Sequence, residues 1–388
     1  MASALLVPGG GASRLLSSVQ TIVDGDPFPS AFALFMMQVV VILATSKSLS
    51  WCLRPLRQPG VVGEMLAGIL LGPTVLGRAP GFSAGLFPKS SLTILKTVAD
   101  FALIFFMFIV GLEMDPAKLR ADARLSLFVS VIGIFVPACA SALLALIFYT
   151  DEFVIGTTFV NLVLFLSVTL GMSALPVLAR ILSERRMLTS RVGSLAMTVA
   201  AVDDIIGWCL LAITIALIRS TSPLGALYVV LVALAQLLFM YFCLRPAIAE
   251  LARRSDTGSA HGVSADTFLV LCLILVGNSW LTEVIGLSSL IGAFQIGLLI
   301  PRTSMLSQVV SEKFEYFTVV ILMPLFFTSS GLRTQFGLIS DGRIFGLALL
   351  VIVVATVSKL VGVALPCYYM GIPPRLSGII GVLMSCKG

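Results

Sequence analysis

The sequence predicts an all-α polytopic membrane protein that is built from an inverted repeat and contains two crossed, discontinuous helices. Three observations lead to this fold class: an apolar composition, twelve apolar segments, and short motifs that recur in the same order. The chain has 388 residues, of which 58% are hydrophobic and only 11% are charged, whereas a soluble domain carries about 25% charged residues. We therefore expect membrane lipid to surround this chain.

Twelve segments are candidates for membrane spans, because a helix needs about 20 apolar residues to cross a bilayer core of about 30 Å. Residues 1–30 are polar and rich in Gly and Ser, and they predict an N-terminal tail without the pattern of a signal peptide. The predicted spans, in chain order, cover residues 31–50, 58–77, 92–112, 124–149, 157–182, 192–218, 223–244, 266–283, 286–300, 314–332, 344–370 and 375–388.

The charges between these spans predict the topology. With the N-terminus outside, sixteen Lys and Arg residues fall on the inner side and seven on the outer side, which follows the positive-inside rule. Omitting any one span would invert every later loop, so the asymmetry supports all twelve. Grouped by inner loop in chain order, the sixteen residues are Lys47, Arg54 and Arg57; Lys118, Arg120 and Arg124; Arg180, Arg185, Arg186 and Arg191; Arg245, Arg253 and Arg254; Arg302 and Lys313; and Arg375.

Three motifs recur in the same order in the two halves of the chain. The first unit begins at span two and the second at span nine, and these spans cross in opposite directions, so the repeat is inverted. Inverted repeats are typical of secondary transporters, whose sites lie at the repeat interface. The second unit lacks a counterpart of span six, so we expect the fold to be truncated before its last helix. The motif pairs are GEMLAGILL (63–71) with GAFQIGLLI (292–300), FMFIVGL (106–112) with FFTSSGL (326–332), and MSALP (172–176) with MSCKG (384–388).

Two adjacent acids, Asp203 and Asp204, lie within span six, well inside its apolar stretch. A charge at the bilayer centre costs about 2.5–3.5 kcal/mol on insertion scales, so such residues usually face a water-filled cavity or a partner. Adjacent helical positions diverge by about 100°, so one acid can face a cavity and the other a partner helix. A carboxyl that holds either a proton or a cation, but not both, provides the physical basis for cation/proton antiport. A structural ion pair is the alternative interpretation.

Lys359 lies in the middle of span eleven and is the only Lys near the centre of a full apolar span. We expect it to form a salt bridge or a proton-coupled contact with one of the two aspartates across the repeat interface. The alternative is that its long side chain reaches the membrane interface.

Span five is interrupted by Gly171 and Pro176, and Thr169 and Ser173 add hydroxyl groups near the interruption. A proline inside a helix removes a backbone hydrogen bond, and freed carbonyls in a membrane must be satisfied by other groups or line a cavity. Because MSCKG is the counterpart of this segment, we predict two broken helices that flank an ion site, with Lys387 near the negative helix ends. A simple proline kink is the alternative.

Other polar residues within the spans are expected to form hydrogen bonds between helices, and Glu64 and Asn161 are secondary candidates for a cavity. The seven cysteines contain no CxxC pair, and His261 lies in a polar linker, so we expect no metal centre of His and Cys and no cofactor. The basic residues lie between apolar spans, which argues against nucleic acid as a partner. The helix-bridging set is Gln38, Glu64, Asp100, Asn161, Asn278, Glu283 and Gln295.

These residues resemble those of the cation:proton antiporter-2 family, and the plant cation/proton exchangers within it. The resemblance covers roughly residues 31–388 and implies the sodium/proton antiporter fold. Many plant members carry Asn-Asp where this sequence has Asp203 and Asp204. The similar segments are RQPGVVGEMLAGILLGPTVLG (57–77), FFMFIVGLEMDPAKL (105–119), the paired acids, LSSLIGAFQIGLLIP (287–301), MPLFFTSSGLRT (323–334) and Lys359.

The resemblance implies a homodimer in which a core domain moves against a dimerisation domain. The dimerisation domain would comprise residues 31–112 and 266–333, the ion-binding core 113–222 and 344–388, and a linker helix with a cytosolic loop 223–265. It also implies particular roles: Asp204 carries the cation and the proton, Asp203 pairs with Lys359, and Thr169 and Ser173 lie at the helix crossing.

The leading functional prediction is therefore a secondary transporter, not an enzyme, that exchanges K⁺ or Na⁺ for H⁺ at Asp204 and Asp203 in the plasma membrane or an endomembrane such as the vacuole. A channel, or a non-transporting ion or pH sensor on the same scaffold, is the alternative. An intramembrane aspartyl protease is disfavoured, because its two carboxyls must converge from different helices.

Overall fold

The computed structural model describes residues 30–150, 158–218, 224–257, 263–338 and 341–386, and within these ranges the chain is almost entirely helical, without a β-strand. Short 3₁₀ turns and two π-helical turns, Met240–Leu244 and Thr318–Leu322, join some of the helices. The α-helices are α1 (Ala31–Leu53), α2 (Gly60–Leu71), α3 (Phe82–Leu86), α4 (Lys89–Glu113), α5 (Pro116–Ala121), α6 (Ala123–Thr150), α7 (Phe159–Gly171), α8 (Leu175–Glu184), α9 (Arg191–Ile218), α10 (Leu224–Phe239), α11 (Arg245–Thr257), α12 (Ala265–Ile285), α13 (Ser289–Leu299), α14 (Met305–Phe317), α15 (Met323–Leu332), α16 (Gly342–Tyr369) and α17 (Pro374–Met384).

The helices confirm the predicted class of an integral, multi-pass membrane protein. Among the described residues, ten helical segments are long and apolar enough to cross a membrane, and Ser289–Leu299 and Pro374–Met384 are shorter apolar helices. These two short helices correspond to predicted spans nine and twelve. A short helix of 11 residues covers only about 16 Å, so neither could cross the bilayer core by itself.

The seventh segment differs from its sequence-based prediction. Instead of entering a loop after residue 244, the chain continues through the π-helical turn into α11, which ends at Thr257. Glu250 forms ion pairs with Arg253 at 3.2 Å and with Arg254 at 3.0 Å. Pairs at this spacing stabilise an exposed helical turn, so a charged segment that we expected to be loop is helical.

The described residues divide into two compact units. The first contains the chain up to Gln58 together with Val62–Asp100 and Pro324–Phe336, and the second contains the remaining residues. This division by compactness differs from the predicted division into dimerisation and core domains, which describes relative movement and stays a prediction.

Buried polar side chains join helices within the first unit. Gln38 donates from Nε2 to the Leu86 carbonyl at 2.6 Å and to Ser91 Oγ at 2.7 Å. Ser46 Oγ lies 2.9 Å from Thr328 Oγ1, which donates to the Glu64 carbonyl at 3.0 Å. In a membrane such bonds replace the water that polar groups would otherwise bind, so these residues contribute to helix packing.

Two close helix crossings occur at glycines that are equivalent under the repeat. A Cβ added at Gly68 would come within 2.7 Å of Gly331 Cα, and a Cβ added at Gly297 would come within 2.9 Å of Gly111 Cα. Gly68 corresponds to Gly297 in the first motif pair, and Gly111 corresponds to Gly331 in the second. The first helix of each repeat therefore crosses the second helix of the other repeat at equivalent glycines, as an inverted repeat requires.

A fourth motif pair becomes visible once α6 and α16 are seen to cross. GIFVP (133–137) and GVALP (362–366) share a glycine and a proline at the same spacing, and both prolines lie inside their helices. A Cβ at Gly362 would come within 3.3 Å of Gly133 Cα. A contact between a residue and its own repeat counterpart lies on the axis that relates the repeats, so this crossing marks that axis.

Candidate ion-binding site

The first helix break lies between α7 and α8. Helix α7 ends at Gly171, Met172 adopts an extended conformation, and α8 begins at Leu175. Pro176 lies in the first turn of α8, where the missing N–H of proline costs no hydrogen bond and its fixed φ favours the helix. Pro176 therefore starts the second half-helix rather than kinking a continuous one.

The end of α17 meets this break. Ser173 Oγ donates to the Met384 carbonyl at 2.9 Å, and the Ala174 N–H donates to the Cys386 carbonyl at 3.4 Å. Ala174 and Cys386 are counterparts in the third motif pair. The break and the end of α17 thus touch at equivalent positions, as expected for helices that cross on a repeat axis.

Lys359 and Asp203 form a buried ion pair beside the break. Lys359 Nζ lies 2.9 Å from Asp203 Oδ1 and 3.0 Å from Oδ2, and both side chains have 0% exposure. Buried charges persist only when they are paired and hydrogen-bonded. Lys359 also donates to the Gly171 carbonyl at 2.5 Å, and Asp203 Oδ2 accepts the Ser173 N–H at 3.1 Å.

The ion pair matches the electrostatics of the two half-helices. The ammonium of Lys359 contacts the carboxyl end of α7 at Gly171, which carries a partial negative charge, whereas Asp203 accepts a hydrogen bond just before the amino end of α8, which carries a partial positive charge. Each charged side chain therefore stabilises the helix end of opposite sign. The predicted Lys387 lies outside the described residues; among those described, Lys359 is the cation that contacts this helix end.

Asp204 faces a cavity instead of the ion pair. It is 6% exposed and lines a cavity of about 170 Å³, whereas Asp203 does not. At roughly 30 Å³ per water molecule, this cavity has room for about five waters or a partly hydrated monovalent cation. Trp208, one turn further along α9, is the side-chain hydrogen-bond partner of Asp204. Apart from Asp204, the polar side chains of the lining come from Thr198 and Gln295.

Gln295 belongs to a buried amide cluster with Gln236 and Asn278. Gln236 Nε2 donates to Gln295 Oε1 at 2.8 Å and to Asn278 Oδ1 at 3.3 Å, and Asn278 Nδ2 donates to the Gly292 carbonyl at 2.9 Å. These bonds join α10, α12 and α13, which agrees with the prediction that Asn278 and Gln295 bridge helices. The sequence did not indicate Gln236, or that the cluster borders the Asp204 cavity.

The structure does not bring every candidate residue to this site. Thr169 donates to the Phe165 carbonyl of its own helix at 2.8 Å. Asn161 lies in the first turn of α7, ten residues or about 15 Å before the break. Glu64 is buried in the other compact unit.

Two further polar candidates also lie away from the ion pair. Asp100 is exposed and pairs with Lys96 on its own helix at 3.1 Å. Glu283 accepts the Ser289 N–H at 2.9 Å at the start of α13. Asp100 therefore pairs within its own helix instead of bridging helices. The Glu283 contact joins α12 to the first turn of α13, in agreement with the predicted bridging role.

The sequence interpretation missed the residues on which Lys359 packs. A Cβ at Gly133 would come within 3.7 Å of Lys359 Nζ, so the absence of a side chain there leaves room for the ammonium. Ser130, the repeat counterpart of Lys359, donates to the Val199 carbonyl of α9 at 3.0 Å. The recurring Gly-x-x-x-Pro spacing was the signal that could have identified this pair of helices.

The Asp204 carboxylate supplies one oxygen ligand of the kind that monovalent cations bind. Among the described residues, no cluster of three or more His, Cys, Asp or Glu side chains could hold a metal ion. A cation at Asp204 would therefore take its remaining ligands from hydroxyl groups, carbonyls and water. Alkali cations are hard ions that are satisfied by such oxygen ligands.

A broken membrane helix that meets the end of a second apolar helix beside a buried acid–lysine pair is typical of ion-coupled secondary transporters. The family model described as "Sodium/hydrogen exchanger, transmembrane" matches residues 39–388. The chain therefore belongs to the sodium/hydrogen exchanger family, and the relatives that it matches are named as cation/proton antiporters.

Relatives agree with this assignment, and a solved structure shares the fold. The chain is 36% identical to Cation/H(+) antiporter 17 of Arabidopsis thaliana over 94% of its own length, but it spans only 44% of that relative. It is 32% identical to the Na(+)/H(+) antiporter NhaS4 of Synechocystis sp., covering 92% of this chain and 87% of the relative. The sodium proton antiporter MjNhaP1 from Methanocaldococcus jannaschii shares the fold with a TM-score of 0.56 at 15% identity, covering 90% of this chain and 85% of that structure.

Proposed function

We propose that the protein exchanges K⁺ or Na⁺ for H⁺ and that the two ions compete for Asp204. The observation that carries this proposal is the unequal surroundings of two adjacent acids. Asp203 is neutralised by Lys359, whereas Asp204 opens onto a cavity. A carboxyl in such a place must be protonated or bound to a cation to avoid an uncompensated charge, and this requirement couples the two ions.

Asp203 and Lys359 serve the transport by stabilising the broken helices rather than by carrying the cation. Their contacts with Ser173 and Gly171 hold the two half-helices of span five in place. Ser173 also joins this segment to α17. We propose that Asp203, Lys359 and Ser173 complete the ion site around Asp204, with Gly171 and Pro176 as the break that makes room for it. Thr169, whose hydroxyl bonds within its own helix, is kept as a further candidate ligand.

Transport proceeds by alternating access in this proposal. The core, residues 113–222 and 344–388, would carry Asp204 from one face of the membrane to the other against a dimerisation domain of residues 31–112 and 266–333. The Asp204 cavity supports this view, because its lining combines α9 with residues of α10 and α13. The surface opposite Asp204 therefore includes α13, which lies within the proposed dimerisation domain.

Proteoliposomes with an imposed pH gradient test the proposal. Addition of K⁺, Na⁺ or Li⁺ to the purified protein should dissipate the gradient, as read from a pH-sensitive dye, and Asp204→Asn should abolish the response. Asp100→Asn is the matched control, because Asp100 is exposed and pairs with Lys96. Retention of the response in Asp204→Asn, or no response of the unmodified protein to any of the three cations, would contradict the proposal.

A competition measurement separates exchange from a parallel leak. Because a proton and a cation cannot occupy Asp204 together, a higher pH should lower the apparent KM for the cation and leave the maximal rate nearly unchanged. An apparent KM that does not depend on pH, while the maximal rate does, would argue against a shared carboxyl.

A further inference from the structure

A second cavity adjoins the Asp204 cavity and is lined by three arginines. This basic cavity has a volume of about 600 Å³ and receives Arg120 from α5, Arg245 from the start of α11, and Arg302 from the segment after α13. Its volume lies within the range of about 300–1,000 Å³ that is usual for small-molecule sites. The two cavities share the lining residues Leu119, Thr198, Val202, Met240 and Leu298.

The charged side chains that line the basic cavity are all positive. None of its lining residues is acidic. Glu113 interacts electrostatically with Arg302, but it does not line the cavity and can offset only one of the three charges. A cleft lined by charges of one sign concentrates ions of the opposite sign. This cavity therefore attracts anions, although it borders the cavity in which we place a cation.

The chemistry of the lining favours a phosphate group. Arginine presents a planar fork of donors that matches phosphate oxygens in a bidentate geometry. Arg245 is partly positioned by the Tyr241 ring, whose centroid lies 5.2 Å from the guanidinium carbon. Much of the remaining lining is apolar, and basic pockets between membrane helices on the cytosolic side bind the headgroups of anionic lipids. All three arginines lie on the inner side in the predicted topology.

We propose that the basic cavity binds a phosphate group, supplied by the headgroup of an anionic membrane lipid or by a soluble phosphate. The bound group pairs with Arg120, Arg245 and Arg302 and lies across the shared lining that leads to Asp204. Its consequence for transport, which rests on the proposed function, is that occupancy restricts the entry of the cation from this side.

Binding is tested without measuring flux. The purified protein is placed in nanodiscs of phosphatidylcholine with or without phosphatidylglycerol, and retained phosphatidylglycerol is measured by native mass spectrometry after release. Arg245→Gln/Arg302→Gln is compared with Arg253→Gln/Arg254→Gln, which removes the same charge from the exposed face of α11. Retention should fall roughly thirtyfold in the first variant only, since each arginine near an anionic lipid changes the affinity by about fivefold.

Two additional measurements identify the source of the bound phosphate group and distinguish lost binding from a folding defect. Displacement of phosphatidylglycerol by millimolar inorganic phosphate, together with thermal stabilisation by phosphate alone, would assign the site to a soluble phosphate. Absence of both effects, with phosphatidylglycerol retained, would assign it to the lipid. Arg245→Lys/Arg302→Lys keeps the charge and should retain part of the binding, whereas a folding defect would show as a lower melting temperature in the glutamine variant.

Equal retention of phosphatidylglycerol in the two glutamine variants would overturn the proposal, and so would retention of phosphatidylcholine as strong as that of phosphatidylglycerol. In vesicles, transport should be slower with phosphatidylglycerol than without it, and the difference should vanish in Arg245→Gln/Arg302→Gln. Transport that is absent in every preparation would count against the proposed antiport and leave the binding result intact.

Discussion

At the scale of single residues, Asp203 and Lys359 depend on each other. Both side chains are completely buried, and a lone charge in that position would cost several kcal/mol. Together they satisfy a carbonyl and an N–H that the helix break leaves without a helical partner. The pair thus stabilises the break, while Asp204 at the adjacent helical position lines the neighbouring cavity.

Removal of one charge of the Asp203–Lys359 pair should destabilise the fold more than removal of both charges. Asp203→Asn should lower the free energy of unfolding by about 3–5 kcal/mol, because it leaves the Lys359 ammonium buried and uncompensated. Asp203→Asn/Lys359→Met should recover a large part of that loss. Thermal unfolding in detergent of Asp203→Asn, Lys359→Met and the double variant completes a double-mutant cycle.

Asp204→Asn is the control for this cycle, because Asp204 has no cationic partner in the described contacts. It should change stability by much less than Asp203→Asn, although it should abolish transport. Additive effects of the Asp203 and Lys359 substitutions, or equal loss of transport and stability in both aspartate variants, would contradict the separate roles.

Ser173 and Thr169 are distinguished by where their hydroxyls donate. Ser173 donates across the two broken segments to Met384, whereas Thr169 donates to Phe165 of its own helix. Ser173→Ala should therefore cost about 1–3 kcal/mol of stability, since it leaves a buried carbonyl without its partner. Thr169→Ala should leave the melting temperature nearly unchanged.

Transport assays then decide whether Thr169 contributes to the ion site. A higher KM for the cation in Thr169→Ala, at unchanged stability, would assign its hydroxyl to cation binding. Unchanged KM and stability would remove Thr169 from the proposed site. Thr97→Ala is a matched control, because Thr97 also donates to its own helix, at the Thr93 carbonyl.

At the scale of helices, the packing depends on glycines at crossings. Gly68 crosses Gly331 and Gly111 crosses Gly297 with less space than a Cβ needs. Small residues allow such close approach in membranes, where helix association relies on packing rather than on the hydrophobic effect. Since the two crossings are equivalent under the repeat, substitutions at them should behave alike.

Gly68→Ala and Gly111→Ala should each lower stability by about 1–3 kcal/mol, because the added methyl group would overlap the backbone of the crossing helix. Gly277→Ala is the matched control, since its position is helical and has no atom within 4 Å of an added Cβ. There alanine should be neutral or stabilising. Melting temperatures of the three variants in one detergent provide the comparison, and a neutral Gly68→Ala would contradict the close crossing.

At the scale of the whole molecule, the proposed mechanism requires a stationary part for the core to move against. The predicted homodimer supplies it, because two dimerisation domains that pack together are held in the membrane while each core moves. Native mass spectrometry from detergent micelles should therefore detect a dimer of this chain. A species that stays monomeric in several mild detergents and in nanodiscs would contradict the homodimer.

Much of the fold and some of the site could be predicted because they depend on local properties. The sequence shows the twelve apolar segments and the break near Gly171. It also shows the charged residues Asp203, Asp204 and Lys359, whose placement in lipid is energetically unfavourable. Residues 245–257 were predicted wrongly as loop, because a run of charges has the same composition in a loop and in an exposed, ion-paired helix. The roles of Glu64 and Asn161 could not be predicted, since burial alone does not specify a neighbour.

The sequence by itself determined the class of protein, because the requirement to satisfy backbone and charge in lipid restricts the possible structures so strongly. Only the tertiary structure decided which groups meet. Spacing along the chain left Lys359 free to pair with either aspartate, and the rotation of α9 against α16 places it on Asp203. The same rotation leaves Asp204 on the cavity. Contacts between helices far apart in sequence depend on their rotation and close packing, which no single segment specifies.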